Sequence, residues 1–290
     1  MLFMPETPHY CIIKHERNKA LSVLTWLRGE DYDIEQEYKN IALDLLSTES
    51  AGFHYREFFQ PNLYIPLAIT VTLMMLQQFS GIDAVNFYTV TIFQRSSLSI
   101  NDHVAVIIVI AVQVVVPFVS VTLIDRCGRK ILLIVAGAGM CLSASTFGIY
   151  YKLTENVNVN YTEWTATTPP TSLDLTWLSL TSLIVYTSSF SLAWGSIPFL
   201  IMSEILPTKG KGPASALATT VNWLSLFVVT KTFLKMSVVM TDAGVFWFFG
   251  GVCFLSTIFV ALCVPETKGR SLEEITKYFN RYKHRGDICS

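Results

Sequence analysis

From Leu63 to Val264 the chain alternates long apolar runs with short polar knots, while residues 9–60 are polar and rich in both signs of charge. Runs of this kind, each exceeding the roughly 20 residues a helix needs to cross a bilayer, predict six membrane-spanning helices over residues 63–94, 103–124, 131–151, 173–205, 213–239 and 244–264. The connections are short except Lys152 to Ser172, which is polar and carries Pro169-Pro170. Ahead of the spans, Leu21, Leu24 and Leu27 recur at helical spacing up to Arg28-Gly29, and Ile34, Tyr38, Ile41 and Leu45 mark a second helix. A third short helix is expected over 51–60, before Pro61. Met1 to Glu6 lacks a positive n-region and is too short in apolar residues for a signal peptide; it reads as the end of a preceding span.

Charge fixes the expected orientation. Seventeen of the 21 lysines and arginines gather on one side: those of the leading segment, Arg126, Arg129 and Lys130, Lys209 and Lys211, and those of the tail. Only Arg95, Lys152, Lys231 and Lys235 fall on the other, so both termini are expected in the cytoplasm. The sequon Asn160-Tyr161-Thr162 lies in the loop this assigns to the outside, making Asn160 a candidate glycosylation site. The domains are then a cytoplasmic helical linker following the end of a span (1–61), a six-helix bundle (62–265) and a cytoplasmic tail (266–290).

With 51% hydrophobic and 15% charged residues and a net charge of −1, the chain fits neither a disordered segment nor a nucleic-acid binder. Its six cysteines show no metal-type spacing and suggest no disulfide framework. The acids and the histidines at 9, 15, 54, 103 and 284 form no nucleophile–base or metal pattern. Neither an enzyme nor a cofactor is expected; the partners are the lipid bilayer and a ligand.

Inside the first span lies Gln77-Gln78-Phe79-Ser80-Gly81-Ile82-Asp83-Ala84-Val85-Asn86. Amides and a carboxylate at membrane depth must find partners, and Gly81 lets the helix loosen. The residues alone leave two readings, a polar ligand site or a set of amides gluing helices together. The fourth span is interrupted by Gly195 and Pro198. If six spans divide into two triplets, both breaks fall in the first member, the arrangement of a 3+3 inverted repeat with its ligand near the midplane. Asn222-Trp223 in the fifth span pairs an amide with a ring, and Gln113 ahead of Pro117 is an isolated amide in the second. Acids and bases meet at the cytoplasmic edges in Asp125 to Lys130, Glu204 to Gly212 and Pro265 to Glu274. These are flanking charges or a network closing the helix ends in one state.

At these motifs the sequence resembles the sugar porter family of the major facilitator superfamily, and within it the arthropod facilitated trehalose transporters. The resemblance runs from Pro5-Glu6-Thr7-Pro8 and Trp26-Leu27-Arg28-Gly29 through Gln77 to Tyr88, Leu123 to Lys130, Ser203 to Pro207, Asn222-Trp223 with Val228 to Phe233, and Val264 to Gly269. It implies an all-α integral membrane fold, here the second six-helix half and the central cytoplasmic helices of a twelve-helix carrier in the plasma membrane. It further implies facilitated uptake of a neutral sugar, trehalose or a hexose, by alternating access together with a first half. Gln77, Gln78 and Asn222 would bond sugar hydroxyls beside Trp223, and Asp125, Arg129, Lys130, Glu204, Lys211 and Glu266 would form the inner gate and tail motif. Asp83 and Gln113 stand where the family has sugar-binding Asn, Phe199 where it has Trp, Ser196 where it has Pro, and Lys211 where it has Arg. Two alternatives accompany this reading: a non-transporting sugar-sensing or interaction protein, and a proton-coupled symporter using Asp83.

Overall fold

The computed structural model describes residues 5–29, 32–49, 61–95, 102–163, 176–207 and 210–269; the helix expected over 51–60 and the tail beyond 269 lie outside them. The chain divides into two compact units, Met1–Glu57 and Phe58–Ser290.

The first unit holds α1 (Pro8–Ile13), α2 (Arg17–Arg28) and α3 (Ile34–Glu49). Thr7 accepts the Tyr10 N–H ahead of α1, and Asp33 accepts the Gln36 N–H at 3.1 Å ahead of α3, as short polar side chains do at helix starts. Cys11, Ile12 and Ala20 make a small core with Tyr38, Ile41 and Ala42. The ion pairs Arg17–Glu35 and Arg28–Glu37 join helices at the surface, where such pairs add little.

The second unit is helical among its described residues. It contains α4 (Pro61–Phe79), α5 (Ile82–Arg95), α6 (Asp102–Cys127), α7 (Arg129–Glu163), α8 (Thr176–Ser189), a π-helical turn Phe190–Trp194, α9 (Ile197–Ile205) and α10 (Lys211–Cys263). Five helical stretches are long and apolar enough to cross a membrane: Leu63–Ile92, His103–Cys127, Arg129–Leu153, Trp177–Ile205 and Lys211–Cys263. The last, 53 residues long, is interrupted at Thr241, where φ is 65° and ψ 161°. A straight helix would hold Phe233 and Phe249 about 24 Å apart, yet their rings stack with centroids 6.3 Å apart. The chain therefore reverses at Thr241, whose hydroxyl accepts the Gly244 N–H at 3.4 Å and starts the returning leg.

One apolar core runs through the unit, from Leu73 and Ile82 through Leu133, Met140 and Phe147 to Trp194, Ile201 and Phe249. Small residues let α7 and α10 approach closely, and Trp247 lies directly over Gly148. The α6 helix is the least covered, with 17% of its most apolar window buried, which suits a surface meeting lipid or further helices. The structure also corrects the expected polar loop from Lys152: α7 continues helical to Glu163, and Asn160 falls in its last turns.

Candidate functional site

Both interrupted spans break where their sequences loosen, and each break is filled by a side chain from the other. Between α4 and α5, Gly81 has φ 88°, open to glycine at little cost. The Ser80 carbonyl there accepts the Tyr186 hydroxyl of α8 at 2.5 Å, and the Ser80 hydroxyl turns back to the Gln77 carbonyl at 2.6 Å. In the fourth span the π-helical turn precedes Gly195, and Gly195 N–H bonds the Phe190 carbonyl five residues back at 2.9 Å. The Trp194 carbonyl would ordinarily receive the N–H of residue 198, but Pro198 has none. Gln77 supplies the replacement, its Nε2 lying 2.6 Å from the Trp194 carbonyl and 3.4 Å from that of Gly195. Ser120 of α6 likewise reaches the Leu192 carbonyl at 2.5 Å.

On the far side of Gln77 stands Asn222 of α10. Its Nδ2 donates to Gln77 Oε1 at 2.9 Å and to the Met74 carbonyl at 3.3 Å, while its Oδ1 accepts Gln78 Nε2 at 3.0 Å. All three amides are buried. One acceptor is left over: Gln78 Oε1 is buried and, among the described residues, has no hydrogen-bond partner. A buried carbonyl oxygen in that condition is a site for an incoming hydroxyl donor.

The remaining candidates are placed differently. Gln113 bonds neither Gln77 nor Asn222; its Nε2 donates to Asn86 Oδ1 at 2.7 Å. Asp83 is half-buried and, among the described residues, makes no hydrogen bond or ion pair. Phe199 is 38% exposed. Trp223 is 63% exposed and does not share the surroundings of its neighbour Asn222, since successive helical residues point about 100° apart. Tyr186 and Ser120 were not singled out from the sequence, and Asn86 stood there only as the third amide of the polar stretch. A tyrosine in a membrane-depth apolar run signals a hydroxyl needing a partner, but nothing in the sequence says which carbonyl will receive it.

At the opposite end of the same helices the acidic and basic residues do converge. Arg129 donates to Glu204 at 3.2 Å, with both side chains largely covered, and lies 4.0 Å from Asp125, which is 76% exposed. Glu266 works through backbone: its carboxylate accepts the N–H groups of Arg129 and Lys130 at 3.1 and 3.2 Å and that of Lys268 at 3.1 Å. A carboxylate at the first turn of α7 satisfies unpaired donors and complements the helix dipole. Gly128, at φ 91°, makes room, for a Cβ there would lie 2.9 Å from Glu266 Oε2. Lys130 thus enters through its backbone, and Lys211 forms no ion pair among the described residues but donates to the Ser203 carbonyl at 2.6 Å. Replacing Glu266 with Ala is expected to lower stability by about 1–2 kcal/mol, with Gln intermediate because its amide oxygen still accepts. Thermal unfolding midpoints in detergent check this, and an unchanged midpoint for the Ala variant would refute the capping role.

Comparison with known proteins identifies the family. The family described as "Sugar (and other) transporter" matches residues 1–279. A facilitated trehalose transporter Tret1-2 homolog of Drosophila simulans is 40% identical over 280 residues, covering 96% of this chain and 55% of the relative. The facilitated trehalose transporter Tret1 of Apis mellifera ligustica is 41% identical over 284 residues, covering 96% and 53%. The chain spans about half the length of the curated relatives it matches. Among solved structures, the major facilitator superfamily proton:xylose symporter XylE bound to 6-bromo-6-deoxy-D-glucose aligns with TM-score 0.72 at 24% identity over 95% of this chain and 55% of that one. The inward-open xylose transporter XylE from E. coli aligns with TM-score 0.61 at 24% identity, over 95% and 52%. By sequence, then, this chain belongs to the sugar (and other) transporter family.

Proposed function

We propose that this chain is the sugar-contacting half of a carrier that moves a neutral sugar, trehalose or a hexose, across the plasma membrane by alternating access. In this reading the reversal at Thr241 divides α10 into a fifth and a sixth span, and the six form two inverted triplets whose first members are the broken helices. Both termini are cytoplasmic, and a second six-helix half supplies the facing wall. The observation that carries the reading is the unpartnered, buried Gln78 Oε1 at the edge of an otherwise satisfied amide cluster. Gln77 and Asn222 hold Gln78 in place, Gln78 accepts a sugar hydroxyl, and Asp83, Gln113, Phe199 and Trp223 border the path. The Arg129–Glu204 pair and the Glu266 cap act as a gate by existing in one state of the cycle only, because an equilibrium moves by the difference between its states.

Uptake of labelled trehalose and glucose tests this, with the chain expressed alone and together with the first half of a relative. The paired halves are expected to take up at least one sugar without a proton gradient, and Gln78→Ala to reduce that uptake about tenfold. Absence of uptake and of binding for both sugars would overturn the reading. Uptake that requires a gradient and is lost in Asp83→Asn would replace facilitated by coupled transport.

A further inference from the structure

Five cysteines fall among the described residues, and they divide by surroundings. Cys11 and Cys253 are buried and Cys141 is half-buried, whereas Cys127 and Cys263 are exposed. The exposed two also share a position, for each is the last residue of a membrane-length helix, α6 ending at Cys127 and α10 at Cys263.

Both stand at the same end of the bundle. The segment that follows Cys263 packs on the residues flanking Cys127: Glu266 accepts the Arg129 and Lys130 N–H groups, and Lys268 Nζ donates to the Arg126 carbonyl at 2.6 Å. Arg126 and Lys268 are themselves exposed, so each thiol has a solvent-facing cation within a few residues. On the other side of each thiol the helix is apolar and uncovered, with Val119 and Val121 exposed on α6 and Leu255 and Leu262 on α10. Cations suit lipid headgroups and bare apolar side chains suit hydrocarbon, which places both thiols at the boundary between the two. A cysteine at the membrane edge is the usual acceptor of a reversible acyl chain.

We infer that Cys127 and Cys263 are a pair of S-acylation sites, each taking a long-chain fatty acyl group from an acyl-coenzyme A thioester. The cysteine sulfur attacks the acyl carbonyl carbon, a new C–S bond forms, the C–S bond to coenzyme A breaks, and the cysteine proton passes to the departing sulfur. Hydrolysis later returns the free thiol and a fatty acid. The chains lie along the uncovered turns of α6 and α10 and fasten the ends of both helices to one leaflet, beside the Glu266 cap. Two chains matter because a single one anchors only marginally. The inference rests on the cytoplasmic placement of this end in the function proposed above, the side on which coenzyme A thioesters are supplied.

Acyl exchange on the full chain expressed in cells tests it. Free thiols are blocked, thioesters are cut with hydroxylamine, and each thiol released takes a polyethylene glycol maleimide that shows as one mobility step. Cys127→Ser and Cys263→Ser are each expected to remove one step, and the double variant both, since serine forms no thioester. A chain without hydroxylamine-dependent steps, or a double variant with as many as the unaltered chain, overturns the inference. If just one of the two changes removes a step, the paired anchor is overturned. An epitope tag at the C-terminus, probed with antibody in intact and in opened cells, reads the orientation separately. A tag reached only in opened cells, with acylation absent, refutes the acyl sites and leaves the orientation standing. A tag reached in intact cells overturns the orientation and the acyl sites together.

Discussion

Replacing Asn222 with leucine is expected to cost about 2–5 kcal/mol and to remove sugar binding, a larger effect than deleting any other single amide of the cluster. Asn222 donates to Gln77 Oε1 and accepts from Gln78 Nε2, so its loss strands both, and each buried group left unpaired costs about 1–3 kcal/mol. Leucine matches the volume closely enough that a cavity adds little. The Gln77 bond to the Trp194 carbonyl is untouched, so the broken fourth span should keep its shape while Gln78 loses its bearing. Two measurements separate these effects. Unfolding in detergent reads the stability loss, and ligand-dependent stabilisation by sugar reads the binding loss. A leucine variant of unchanged stability would mean that the trio does not form in the membrane.

The second large effect is expected at Gly81. At φ 88° a side chain costs about 1–2 kcal/mol in backbone strain alone. The added Cβ would also lie 2.5 Å from the Phe249 ring. That ring cannot simply retreat, because it stacks on Phe233 at 6.3 Å and meets Phe246 edge-on at 6.3 Å. Overpacking of this kind adds about 1–3 kcal/mol. Gly81→Ala should therefore lower the unfolding midpoint strongly, and Phe249→Leu in the same chain should restore the part due to overlap while leaving the backbone part. If the second change restores nothing, the strain argument alone would have to carry the whole loss.

Much of this was visible in the order of residues. Length and hydropathy placed the membrane-depth runs, because crossing a bilayer is a local requirement that each segment meets by itself. Gly81 and the Gly195–Pro198 region announced breaks, because φ freedom and a missing N–H are properties of single residues. What could not be read was who fills the breaks. The sequence left Gln77, Gln78 and Asn222 open between ligand site and helix glue; in the structure Gln77 and Asn222 are hydrogen-bonded through both amide atoms, and Gln78 Oε1 has no partner among the described residues. Asn222-Trp223 read as a joint amide and ring, yet helical geometry separates neighbours. Glu266 read as one more charge at a helix edge; its part in capping α7, 137 positions from Arg129, depends on a long-range approach that no local pattern encodes.

The mutual filling of the two breaks has a mechanical consequence. Tyr186 braces the first discontinuity and Gln77 braces the second, so neither helix can straighten or swing without unfastening its counterpart. The pair behaves as a single cross-braced strut, and strain applied at one elbow is carried to the other. Any bending of this bundle must then fall on joints outside the brace, of which the non-helical Tyr88 within α5 is one.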